Sequence, residues 1–227
     1  MTNNILVLGS SKNVIIPKFE CLEVFTCNRS ASIGSLYKEN FNDTIHTNIT
    51  PARAFYGVKE IKKIILESKI DNLISRFGTI NTKDYIELKN TNYSEFLNKE
   101  QISLQKLFLN KPHKNFLLSE MKYQTNILKK IVYLFQCLTW RNFIGCSTGV
   151  FAILFALYKH PDCKIIISGI DFKCGEYFVG KSKMSEGRSQ VDAFFIKHIK
   201  KKFIDKIYCL DQNTAKRIGL KYFTNDK

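Results

Sequence analysis

Three features of the chain predict a single α/β domain with a doubly wound, mainly parallel sheet. Short continuous apolar runs such as Ile5–Leu8 and Ile165–Ile167 read as strands buried on both faces. Helical periodicities separate these runs, so strand and helix alternate as in parallel βαβ units. The most informative stretch is Gly145–Leu157, a small hydroxyl-rich turn opening an apolar helix, followed by the strand Lys164–Ser168, which ends in Gly169 and Asp171. Open α/β sheets use this arrangement to hold anionic or nucleotide ligands at their strand ends. Helices are expected on both faces, together with a lid or small inserted lobe.

Along the chain, Ile5–Gly9 is the first expected strand and Glu23–Cys27 the second, each ending in short polar residues. Asn40–Thr50 reads as loop with a candidate short strand at Thr44–Thr47, and Pro51 keeps the residue before it extended. Val58–Lys69 places Ile61, Ile64, Ile65 and Leu66 on one helical face. A strand is expected over Asn72–Phe77. Thr79–Lys114 is less periodic and is read as an insert or mobile lobe, with a helix inside Phe96–Phe108. Phe116–Leu138 is read as mainly helical, Thr148–Tyr158 as a helix capped by Ser147 or Thr148, and Lys164–Ser168 as a buried strand. Residues 172–190 mix glycine with aromatics and form the candidate lid. Val191–Phe203 is an amphipathic helix, Lys206–Leu210 a late strand and Gln212–Gly219 a terminal helix.

The 227 residues are 44% hydrophobic and 13% aromatic, which excludes a disordered or fibrous chain and suits one domain over residues 1–227. Seven cysteines without CxxC pairs point to reduced, buried thiols. The N-terminus has no secretory pattern, and no apolar run reaches about 18 residues. The expected location is therefore cytoplasmic. A formal net charge of +15 favours an anionic neighbour, whether nucleic acid, acidic glycan or the inner-membrane surface, although plain solvation of a lysine-rich surface explains it equally well. The patch Lys197–Lys202 has too few interleaved aromatics for a nucleic-acid module, so no specific nucleic-acid partner is expected. Oligomeric state stays open, a homo-oligomer included.

Several turns could carry chemistry. Gly9, Ser10 and Ser11 offer a tight turn, hydroxyls and amides to a phosphate, without a GxGxxG or Walker pattern. Asn28 and Arg29 lie at a second strand end, where an amide can meet a base or sugar and a guanidinium a phosphate. Ser147, Thr148 and Gly149 stand at a helix start, where free amides suit an anion and a simple N-cap suits the same residues. Gly145, Ser147 and Gly149 also match the hydrolase elbow GxSxG, with Asp171 and His198 following in order. That reading needs a strand into the turn, which Thr139–Asn142 interrupts. Asp171 sits where ligand-binding carboxylates of such sheets lie, and Tyr177 in the candidate lid could donate to a leaving phosphate. Neither the four histidines nor the cysteines have metal-ligand spacing, so no metal is expected.

On these residues the chain resembles the bacterial sialyltransferases that use a CMP-activated donor. The likeness covers Ile5–Ser11, Phe25–Ser30 and Ser147–Phe172, and more loosely Gly187–Leu210. It implies inverting transfer of sialic acid or a related keto sugar from a CMP-sugar to a glycan or glycolipid acceptor, in lipooligosaccharide or polysaccharide biosynthesis. No cofactor is implied, the CMP-sugar being a substrate. Ser10, Ser11, Asn28, Ser147, Thr148, Gly149 and Asp171 would bind the donor, and Tyr177 would occupy the place of a lid tyrosine. Where that family has a histidine base, this chain has Gly187 or Arg188. Arginine stays protonated and cannot take the acceptor proton. Glu186, Asp192 or Asp171 is the candidate replacement base, with Arg188 or Tyr177 balancing the phosphate charge. The alternative is a noncatalytic protein that binds a nucleotide sugar or nucleic acid.

Overall fold

The computed structural model describes residues 4–81, 91–96, 98–110, 126–128, 130–131, 146–172, 192–193 and 195–224. Its centre is one eight-stranded sheet, parallel throughout, in the order β5-β4-β3-β2-β1-β6-β7-β8. The strands are β1 (Asn4–Leu8), β2 (Glu23–Cys27), β3 (Ile45–Pro51), β4 (Asn72–Arg76), β5 (Asn92–Phe96), β6 (Lys164–Ser168), β7 (Ile207–Cys209) and β8 (Lys221–Tyr222). The chain adds strands outward from β1 to β5, then returns to place β6 on the other side of β1. The order therefore reverses between β1 and β6, which is where open parallel sheets form a crevice at their carboxyl ends.

The described helices are α1 (Ala31–Asn40), α2 (Ala52–Gly57), α3 (Lys59–Glu67), α4 (Asn98–Phe108), α5 (Thr148–Lys159), α6 (Lys201–Ile204) and α7 (Gln212–Ile218). Adjacent residues of a strand point to opposite faces, and the core follows that parity. Val24 packs with Ile33 and Tyr37 of α1 and with Leu6 and Leu8. Its neighbour Phe25 packs with Ile5, Val7 and the apolar residues of α5. Helices α1 and α5 thus cover opposite faces. Every residue of α5 from Thr148 to Leu157 is buried, which is why that stretch is apolar all round rather than striped.

The structure differs from the sequence expectations at several elements. Asn40–Thr50 contains a full strand to Pro51, because His46, Thr47, Asn48 and Thr50 are buried together with their hydrogen-bond partners. Within 79–114, residues 92–96 are the edge strand of the main sheet and α4 packs on α5, so this part belongs to the domain core. Residues 82–90, 97 and 111–114 lie outside the described residues, as do lid residues 173–190 and most of 116–138. The helix expected over Val191–Phe203 is interrupted. Residues 192–193 and 195–197 are helical, Ile199 bridges to Leu109, and α6 begins only at Lys201.

No described helix is long and apolar enough to cross a membrane.

Candidate functional site at the strand-order reversal

Gly9 and Gly169 bring the ends of β1 and β6 into direct backbone contact. A methyl group on Gly9 would lie 2.2 Å from the Gly169 carbonyl oxygen, and Gly169 itself has a left-handed φ of 65° beneath Val14. Only glycine fits both demands. The Gly9 amide donates to the Ser168 carbonyl and the Ser11 amide to the Gly169 carbonyl, each at 2.8 Å. These two donors therefore hold the sheet together, whereas the sequence offered them to a phosphate.

The ends of neighbouring strands are tied to this point by hydroxyls. Ser10 Oγ donates to the Cys27 carbonyl at 3.2 Å, and Ser30 Oγ donates to the Leu8 carbonyl at 2.8 Å while accepting from the Cys27 amide. Asn28 has a left-handed φ of 51°, and its Oδ1 accepts from Thr50 Oγ1 at 3.0 Å. Arg29 turns to Glu60 of α3, with its Nε 3.1 Å from Oε2, and only 14% of its side chain is exposed.

At the start of α5, Ser147 caps the helix by accepting from the Val150 amide at 3.3 Å. Its own amide donates to Asp192 Oδ1 at 2.8 Å. A carboxylate thus occupies the anion position that sequence reasoning offered to a ligand phosphate, and it belongs to the protein. The structure brings Ser147 and Asp192 together, and Asp192 is fully buried. Gly149 lies over Ile170, which joins this turn to the end of β6.

Beside them is a group that sequence reasoning missed. Arg76, at the end of β4, is 1% exposed and sandwiched between the rings of Phe77 and Phe151, 4.4 and 4.5 Å from its guanidinium carbon. It donates to Gln101 Oε1 at 2.7 Å and to the Cys146 carbonyl at 3.2 Å. The Cys27 thiol is pushed up to about 11, chiefly by burial, with Ser30, Ser10 and Arg76 opposing and Asp192 adding to the rise. An apolar flank before a strand-terminal arginine was the available signal.

The open part of the site lies on the other side of the Gly9–Gly169 contact. A cleft of about 340 Å³ runs between the ends of β1, β6 and β7 and the first turns of α7. Ser11 and Asp171 line it, as expected from sequence, together with Asn13, Asp211, Asn213 and Arg217, which were not expected. Asp171 faces Arg217 at 3.4 Å, and Arg217 also donates to Thr214 Oγ1 at 3.3 Å. Asp211 caps α7 by accepting from the Thr214 amide at 2.6 Å. A late strand ending in Leu-Asp before a helix was visible in the sequence. Recognising it as a third strand end on the same edge would have located this wall.

Tyr177, Glu186 and Arg188 lie outside the described residues. Ser147 has no histidine partner among its described contacts, and His198 is bonded through its backbone to Asn110 and Phe195. Among the described residues no group of His, Cys, Asp and Glu is arranged to hold a metal ion. Comparison with protein-family models, with curated proteins and with solved structures finds no match.

Proposed function

We propose that this chain is a glycosyltransferase that moves sialic acid or a related keto sugar from a CMP-activated donor to a glycan acceptor. One observation carries the reading. The four stretches that suggested it, Gly9–Ser11, Asn28–Ser30, Ser147–Gly149 and Ser168–Asp171, are far apart in sequence and abut at one sheet edge, around the reversal of strand order. That edge is where a parallel α/β sheet binds nucleotides, and the cleft beside it has room for a nucleoside.

The reaction in this reading is a direct inverting displacement. The acceptor oxygen attacks the anomeric carbon, and the bond from that carbon to the CMP phosphate oxygen breaks with its electron pair leaving on CMP. A base takes the acceptor proton. Of the candidate bases, Asp171 is the described one that lines the cleft, while Glu186, Arg188 and Tyr177 are proposed to act from the 172–190 segment. The enzyme would work in the cytoplasm beside the inner membrane on surface glycans, where its positive charge suits anionic surroundings.

A second reading, binding of a nucleotide sugar without turnover, is favoured by the state of the two candidate bases among the described residues, Asp171 and Asp192. Asp171 is engaged by Arg217, and Asp192 is buried on the Ser147 amide.

Calorimetric titration with CMP, UMP, AMP and GMP at low and high salt tests the proposal. Selective CMP binding that survives salt is expected, followed by turnover of CMP-sialic acid or CMP-Kdo. Binding of the CMP-sugar without turnover selects the second reading. Equal, salt-sensitive binding of all four nucleotides overturns both.

A further inference from the structure

We infer that the wall formed by α7 and the β1 loop is a diol-binding subsite, and that it holds the ribose of the nucleotide and leaves the phosphate outside. The identity of the nucleotide rests on the CMP-sugar reading, whereas the diol chemistry rests on the cleft alone. Charge decides against phosphate. Among the described lining residues Asp171 and Asp211 stand against one cation, Arg217, itself drawn to Asp171, so their summed charge is negative. A phosphate there would face two carboxylates, whereas a neutral vicinal diol would meet acceptors for its hydroxyl protons.

The hydrogen-bonding groups fit that ligand. Asp211 uses Oδ1 on the Thr214 amide, which fixes the carboxylate and leaves Oδ2 available. The side-chain amides of Asn13, in the β1 loop, and Asn213, in α7, line the cleft and have no partner among the described residues. Each can donate to one hydroxyl oxygen and accept from another. Arg217, itself exposed, is drawn to Thr214 and Asp171 at 3.3 and 3.4 Å, which gives the carboxylate of Asp171 a preferred direction. Carboxylates fixed by neighbours together with uncommitted amides are the chemistry that recognises sugar hydroxyls.

The test is a calorimetric comparison of CMP, cytidine, 2′-deoxy-CMP, the other ribonucleosides and free hexoses, with the full chain and with Asn213→Ala and Asn13→Ala. Asn213 and Asn13 are exposed, so both variants should fold, and circular dichroism checks that they do. The expected result is that cytidine binds nearly as well as CMP. Loss of the 2′-hydroxyl should weaken binding about tenfold, as losing a hydrogen bond to a fixed polar group does. In the Asn213→Ala variant CMP and 2′-deoxy-CMP should converge. If only another ribonucleoside binds, with the same 2′-hydroxyl dependence, the CMP reading fails and the subsite stands. If a free hexose binds instead, and loses affinity in Asn213→Ala, the diol site stands with a sugar as its source. Equal binding of 2′-deoxy-CMP and CMP, or cytidine more than about tenfold weaker than CMP, overturns the inference. Failure of every diol to bind overturns it together with the CMP reading.

Discussion

His46 should make the fold sensitive to mild acid. Its ring is fully buried in β3, with Nδ1 2.7 Å from the Lys69 carbonyl and Nε2 2.8 Å from Thr26 Oγ1. The carbonyl can only accept, so Nδ1 carries the proton and Nε2 accepts from the threonine hydroxyl. A second proton would displace that donor. Burial holds the imidazole down to about 4 from an ordinary 6.5, with Lys38 in the same direction, while the Lys69 carbonyl, Asp71 and Glu23 oppose it. The unfolded chain therefore binds this proton first as pH falls. The stability contribution is complete above 6.5 and is lost on the way down to about 4. From those two values the loss is about 2 kcal/mol at pH 5 and about 3 kcal/mol at pH 4, relative to pH 7.5. Urea unfolding at fixed pH values between 7.5 and 5 measures it, compared with His46→Gln, which is less stable at neutral pH but lacks this slope. Glu23 is the main competing titration. Burial opposes its ionisation, but hydrogen bonds from His160, Lys159 and Thr47 hold it below the ordinary carboxylate range, so its contribution is lost only at more acid pH. Equal pH slopes in the two proteins between 7.5 and 5 would refute the reasoning.

Three other perturbations follow from the same geometry. Gly9→Ala pushes a methyl group into the Gly169 carbonyl, so a loss of about 1–3 kcal/mol in urea unfolding and weaker ligand binding at the cleft are expected together. Ser147→Ala removes the cap of α5 while the Asp192 contact to its amide remains, so the expected cost is about 1 kcal/mol in thermal or urea unfolding. An esterase activity that vanished in this variant would instead support the hydrolase pattern. Burial pushes the thiols of Cys21, Cys27 and Cys209 up to about 11, so peptide mapping after labelling at pH 8 should find these three unmodified until denaturant is added.

Strands β1, β2, β4, β6 and β7 and helices α3, α4, α5 and α7 were legible because their apolar residues follow a burial period that local sequence displays. The elements that were missed, or in the case of β3 drawn only as a short strand at Thr44–Thr47, bury polar or small residues. β3 contains His-Thr-Asn-Ile-Thr, and its polar side chains are tolerated in the interior because Glu23 and Thr26 on β2, Asn28 just beyond it and Asn72 on β4 answer them. Such compensation is a tertiary fact, absent from any window of sequence. Helix α1 packs through Ala31, Ile33, Gly34 and Tyr37, and Gly34 is small because a methyl group there would lie 2.4 Å from His46 Nε2. Edge position hides β5, whose residues are only half-buried, because one side of the ladder needs no apolar cover.

The candidate site divides along the same line. Strand-end residues with a local signature, Gly9, Ser147, Gly149, Gly169 and Asp171, were legible, and they converge. Their roles were less so, because whether an amide is available to a ligand depends on what the folded protein already places there. Ser168 and Gly169 take the amides of the first turn, and Asp192 takes that of Ser147. Both helped define the edge without being left open on it. Among the described residues the groups still open belong to Asn13, Asp211 and Asn213, which have no signature beyond ordinary loop and cap chemistry. Binding energy at this edge should therefore reside mainly in the β1 loop and α7. Substitutions at Asn28 and Ser147 should then act on ligand affinity through the shape of the strand ends rather than through direct contact.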